Sequence, residues 1–205
     1  MTNSNITTII FDFGNVLIEW NPRYVYQNYF PNDPEGMENF LNEVDFMGWN
    51  SHQDKGRTFK EGVADLSTQF PHYSHLIQAY YDNWKDSIGV AYWDTVEIMK
   101  QLKQKGYPLY GLSNWSAETF PYARAKYDFF ELLDDMVISG YVGHVKPEPD
   151  IYHVLLEKVG KPAQECLFID DSLANIQQAQ RIGFQTIHFQ SAEQLADELR
   201  SMNLL

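Results

Sequence analysis

A chain of 205 residues, 44% hydrophobic and 15% aromatic, carries enough apolar material for one sizeable core with a modest insertion. Its 28 acidic residues against 15 basic ones leave a net charge of -13 and a pI near 4.7, which argues against nucleic acid or an anionic membrane surface as partner. Cys166 is the single cysteine, so an intrachain disulfide and a cysteine-built zinc site are both excluded.

The first residues, MTNSNI, lack the basic and apolar regions of a secretory leader, and no apolar run reaches the roughly eighteen residues of a spanning helix, so a cytoplasmic location is expected. Thr7 to Phe11 then form a β-branched and aromatic run that ends in Asp12, Gly14 and Asn15, the pattern of a strand buried on both faces. An aspartate at the carboxyl end of such a strand sits where open α/β sheets bind ligands; standing alone, it would more simply cap the next turn. Residues 20–89 change character. They are dense in aromatics, show little β-type alternation, and predict helices near 22–29, 35–44, 58–70 and 74–85. This block reads as a small helical cap inserted after the first strand, leaving 1–19 and 90–205 as the core domain.

From Asp94 onward helix and strand alternate. Helices are predicted at 94–105, 116–126, 148–159, 173–182 and 192–202, with strands at 108–112, 136–139, 166–169 and 185–189. That alternation predicts an α/β fold, a doubly wound parallel sheet with helices on both faces. Neither a P-loop nor a dinucleotide-binding glycine pattern is present.

Three strands end in polar residues at one sheet edge: Asp12, then Ser113 and Asn114, then Asp170 and Asp171. Gly143 to Pro147 deliver Lys146 just ahead of a helix. Each has a plain alternative as turn residue, helix cap or solvated lysine. Two adjacent acids near a third are harder to dismiss, because like charges at close range repel unless a cation sits among them. All-oxygen ligands suit a hard ion such as Mg2+.

The order Asp-x-Gly-Asn-Val, Ser-Asn, Lys-Pro, Asp-Asp resembles the haloacid dehalogenase superfamily of hydrolases, in the branch with a helical cap after the first strand. The likeness covers essentially the whole chain, and its first motif resembles that of sugar-phosphate phosphatases. It implies a Mg2+-dependent phosphatase of a small phosphorylated metabolite, with Asp12 as the nucleophile that becomes an aspartyl-phosphate. It further implies that Ser113 and Asn114, with Asn15, hold the substrate, and that Lys146 neutralises charge in the catalytic site. Asp12, the Gly14 carbonyl and Asp171 would ligate Mg2+, Asp170 would bind metal-held water, and Asn175 would support them from behind. One departure matters: most such phosphatases carry a second aspartate where this chain has Gly14, so acid–base help must come from elsewhere or be absent. WNSHQDKG at 49–56, with His52, Asp54 and Lys55, is the stretch expected to supply it, unless it is ordinary cap surface. Two other functions compete: a 2-haloacid dehalogenase, with Arg23 as carboxylate holder, and a regulatory protein with an impaired site.

Overall fold

The strands are β1 (Thr8–Phe11), β2 (Ile18–Trp20), β3 (Ile88–Ala91), β4 (Leu109–Ser113), β5 (Asp135–Ile138), β6 (Cys166–Asp170) and β7 (Gln185–His188). Five of them form one parallel sheet in the order β5-β4-β1-β6-β7. The computed structural model describes residues 6–205, so residues 1–5 of the MTNSNI start lie outside the described residues. All four residues of β1 are buried, as a strand sandwiched between helical layers requires. Because side chains alternate across a strand, Ile9 and Phe11 point into one apolar cluster and Ile10 into another.

Between β2 and β3 lie five helices: α1 (Arg23–Tyr26), α2 (Pro34–Glu43), α3 (Phe46–Asp54), α4 (Phe59–Gln69) and α5 (Ser74–Asn83). Their aromatic residues make a separate cluster around Tyr26, Phe40, Phe46, Trp49 and Tyr80. The remaining helices are α6 (Trp93–Gln104), α7 (Phe120–Lys126), α8 (Ser139–Val142), α9 (Pro149–Val159), α10 (Leu173–Ile182) and α11 (Ala192–Ser201). Met99 and Leu102 of α6, with Leu195 and Leu199 of α11, cover the face that holds Phe11. Ile151 and Leu155 of α9, with Ile176 and Ala179 of α10, cover the face that holds Ile10. The sheet is therefore doubly wound. Cys166 packs inside that second cluster, and burial pushes its thiol up to about 11, so it behaves as a plain core residue.

Several local readings are corrected. Two short strands at the ends of the 20–89 block were not read. Ile18–Trp20 pairs antiparallel with Ile88–Ala91, Ile18 opposite Ala91 and Trp20 opposite Ile88. Strands of three and four residues are too short for alternation to register. The helix expected over 22–29 stops at Tyr26, and the one expected over 116–126 begins at Phe120. Residues 46–54, where no helix was read, form α3. Its start is set by Asp45, held at φ 44°, whose carboxylate accepts from Gly48 N at 3.3 Å. Its polar run Asn50-Ser51-His52-Gln53-Asp54 gives no apolar stripe to read.

Ser139 and Gly140 begin α8 and clasp the loop that follows β4. Ser139 Oγ accepts from Trp115 N at 2.9 Å, and Gly140 N donates to Trp115 O at 3.1 Å. A Cβ on Gly140 would lie 2.3 Å from Ala117 N and 2.7 Å from Trp115 O, both backbone atoms that cannot swing aside. Gly140→Ala is expected to destabilise the fold by about 1–3 kcal/mol, read as a lower urea midpoint at unchanged slope. An unchanged midpoint would show that this loop shifts freely.

Candidate active site

Parallel strands of one sheet end side by side, so the topology brings Asp12, Ser113 and Asp170 to a single edge. Asp12 follows β1 at once and is buried; its Oδ1 accepts from Phe13 N at 2.7 Å. Lys146 Nζ lies 2.8 Å from that same Oδ1, 2.7 Å from Asp170 Oδ2 and 2.9 Å from the Leu112 carbonyl. The lysine side chain is 1% exposed, so its three protons are all spent on protein oxygens. Burial opposes its charge, but Asp12 and Asp170 outweigh that and hold its pKa above the ordinary lysine value.

The two aspartates of the 170–171 pair have different surroundings. Asp170 is fully buried and accepts from Lys146, from Ser172 N at 2.8 Å and from Asn175 Nδ2 at 3.0 Å. Asp171 is half-buried and lines the cavity. Burial and the Asp170 charge raise its pKa, against the lowering pull of Lys146 and a hydrogen bond from Asn15. Asp12 is pushed up to about 7, first by burial and then by Asp170 and Asp171, with Lys146 acting in the opposite direction. Carboxylate oxygens of Asp12, Asp170 and Asp171 all lie within 4.8 Å of one another. Three acids facing one lysine leave negative charge in excess, and an all-oxygen set of this kind fits a hard divalent cation.

Asn114 is clasped to Lys146. Its Oδ1 accepts from Lys146 N at 2.7 Å and its Nδ2 donates to Lys146 O at 2.9 Å. Of the two ways Asn114 was expected to hold substrate, by its backbone or by its side chain, the side-chain amide is taken up in fixing the lysine loop. Asn15 sits at φ 55° and uses its Oδ1 to accept from Trp20 N at 3.1 Å, so it too is braced within the protein. Gly14 is not in the left-handed region, and a Cβ there would meet nothing within 4 Å. The missing aspartate at that position is therefore not dictated by the backbone.

Asp12, Gly14, Asn15, Ser113, Asn114, Lys146, Asp171 and Asn175 line one cavity of about 300 Å3. Its opposite wall is largely apolar, from Trp20, Met47, Phe59, Tyr80, Trp84 and Trp115, with Asn50, Ser51 and Asp54 of α3. Of the cap residues singled out in the sequence, only Asp54 lines this space. His52 is exposed, and Lys55 pairs with Glu148 at 2.6 Å. Arg23 points away and pairs with Glu38, Nη2 to Oε2 at 2.8 Å, so it holds no substrate carboxylate. The bonds that dock the helices onto the core were not read from sequence: Lys55 to Glu148, and Phe59 N to Glu118 Oε1 at 3.2 Å.

A family model for haloacid dehalogenase-like hydrolases matches residues 6–183. The chain belongs to that family. Among curated relatives of this hydrolase, the sesquiterpene phosphatase astK of Aspergillus oryzae is 24% identical over 94% of each chain. Drimenol cyclase drtB of Aspergillus calidoustus is 27% identical over 52% of this chain, which spans only 20% of that longer protein. Among solved structures, a HAD family enzyme of Bacteroides thetaiotaomicron superposes with a TM-score of 0.75 at 22% identity, covering 95% of this chain and 98% of that one. The Bacteroides enzyme has also been solved in complex with magnesium and inorganic phosphate. The shared fold is thus that of a HAD-like hydrolase.

Proposed function

We propose that this hydrolase is a Mg2+-dependent phosphatase of small organic phosphates, with residues 20–89 serving as a cap over the site. The observation that carries the reading is the convergence of Asp12, Asp170 and Asp171 around Lys146, at the polar end of a cavity whose other wall is apolar. Asp12 Oδ1 is already held by Lys146 and Phe13 N, which leaves Oδ2 as the attacking oxygen. Attack on phosphorus forms an aspartyl-phosphate, and water then releases it. Lys146 offsets negative charge at Asp12, while Ser113, at the end of β4, faces the phosphoryl group. Asp12, the Gly14 carbonyl and Asp171 would hold Mg2+, with Asp170 and Asn175 behind them. The ion would neutralise the phosphoryl oxygens and lower the charge density that nucleophile and substrate otherwise share.

The aromatic wall supports a substrate with substantial apolar surface more than a polar sugar phosphate, and the likeness to a sesquiterpene phosphatase points the same way. Dehalogenase chemistry is the weaker reading, because Arg23 is committed to Glu38 on the surface and Asp171, on the cavity wall, has no ion-pair partner among the described residues.

The test is a panel of an isoprenyl monophosphate, glucose 6-phosphate and p-nitrophenyl phosphate, run with Mg2+ and with EDTA beside a halide-release assay on 2-chloropropionate. Phosphate release is expected with Mg2+ only, fastest on the isoprenyl substrate. Asp171→Asn is expected to lower it by about 10²-fold or more, as loss of a metal-holding carboxylate does. Halide release that survives EDTA would replace this reading with the dehalogenase one.

A further inference from the structure

Gly14 brings no acid to the site, yet the cavity contains one from the other side. Asp54 ends α3 and lines the same cavity as Asp12. Asn50 Nδ2 donates to its Oδ2 at 3.0 Å from within the helices, and the carboxylate lies beside the backbone N–H of Ser116 in the core loop after β4. Resting on the phosphatase reading above, we propose that Asp54 is the general acid–base residue of this enzyme, carried into the site by the cap in place of a carboxylate at position 14.

The surroundings suit that task. Asp54 opens partly onto the cavity and is otherwise enclosed by protein. Among the described residues no cation pairs with it; Lys55 is drawn off to Glu148, and the titratable neighbour is the buried Tyr80 hydroxyl, whose pKa Asp54 helps to raise. It also stands at the carbonyl end of its helix, which disfavours a negative charge. Burial pushes its carboxyl up to about 7, against the lowering bond from Ser116, so both protonation states are present near neutrality. An acid that must give a proton in one step and take one in the next works best in that range.

The two steps balance. In the first, Asp12 Oδ2 forms a bond to phosphorus and the bond from phosphorus to the substrate oxygen breaks. That oxygen keeps the electron pair and takes the Asp54 proton. In the second, a water oxygen bonds to phosphorus while its proton passes to Asp54, and the bond to Asp12 breaks with its electron pair returning to the carboxylate. Asp54 ends protonated, as it began. In this arrangement the cap supplies Asp54 to the cavity that the core residues line.

The experiment compares kcat/KM for an alkyl phosphate and for p-nitrophenyl phosphate in wild type and Asp54→Asn, because kcat/KM reports the step in which the leaving group departs. Nitrophenolate leaves without a proton, so the aryl substrate also shows that the variant is folded and holds its metal. The alkyl rate is expected to fall by about 10²–10³-fold and the aryl rate by less than about threefold, with a burst of nitrophenol as water attack on the phosphoenzyme slows. Equal losses on both substrates, or no loss on either, overturn the assignment of Asp54 while leaving the phosphatase reading intact. A wild type that hydrolyses neither substrate overturns both.

Discussion

Asp12→Asn is expected to reduce phosphate release by at least about 10⁴-fold, because the substituted amide cannot form the acyl phosphate and removal of a nucleophile is rarely compensated. The same change is expected to leave the chelator-treated fold no less stable above neutral pH. In the native chain the Asp12 carboxyl is raised from an ordinary 3.8 to about 7, so the folded state binds its proton more tightly than the unfolded one does. A raised pKa contributes stability below the unfolded value and loses it as pH climbs through the folded value, here between about 4 and 7. The amide carries no charge and escapes that penalty, while Lys146 keeps Asp170 as a partner at 2.7 Å. Phosphate release and thermal melts in EDTA at pH 5 and pH 8 check both halves. Turnover within tenfold of wild type would remove Asp12 from its role.

Lys146→Met is expected to damage both activity and fold. Among the described residues the lysine is the only cation paired with Asp12 and Asp170, whose side chains are 9% and 0% exposed. Removing one member of a buried charge cluster leaves the others uncompensated, typically at about 3–5 kcal/mol. For a domain of this size that corresponds to a melting temperature lower by about 6–20 °C. Asp12 also loses the attraction that lowers its pKa, so the deficit is expected to be greater at pH 8 than at pH 5, where the carboxyl is protonated. Activity should fall by about 10²–10³-fold even where the variant is folded, as with loss of one preorganised charge at a reacting centre. A melting temperature that is unchanged at pH 8 would show that the acids are neutralised in some other way.

How much of this was legible in the sequence depended on whether the signal was local. The β1 run into Asp12 announced itself, because a strand buried on both faces cannot carry polar residues until it leaves the sheet. The regular alternation after residue 94 likewise announced a parallel sheet, whose strands end along one edge, while their order β5-β4-β1-β6-β7 is seen only in the structure. The α3 helix was not legible, since its start depends on one capping aspartate and its body is polar. The different surroundings of Asp170 and Asp171 were equally hidden. Adjacent residues on a strand end point opposite ways, and only the packing decides which one meets the lysine. The clasp between Asn114 and the Lys146 backbone joins residues 32 positions apart and has no sequence signature at all.

The antiparallel pair formed by Ile18–Trp20 and Ile88–Ala91 makes the chain leave and re-enter the sheet domain at one doorway. Whatever lies between these strands begins and ends at neighbouring points, so its length and identity are decoupled from the register of the parallel strands. Apart from that doorway, the hydrogen bonds identified between the two parts run through Lys55, Phe59 and the Asp54–Ser116 contact. Such an arrangement lets the whole insert be exchanged while Asp12, Ser113 and Lys146 keep their places at the sheet edge. The ribbon thus acts as a socket into which the insert is set.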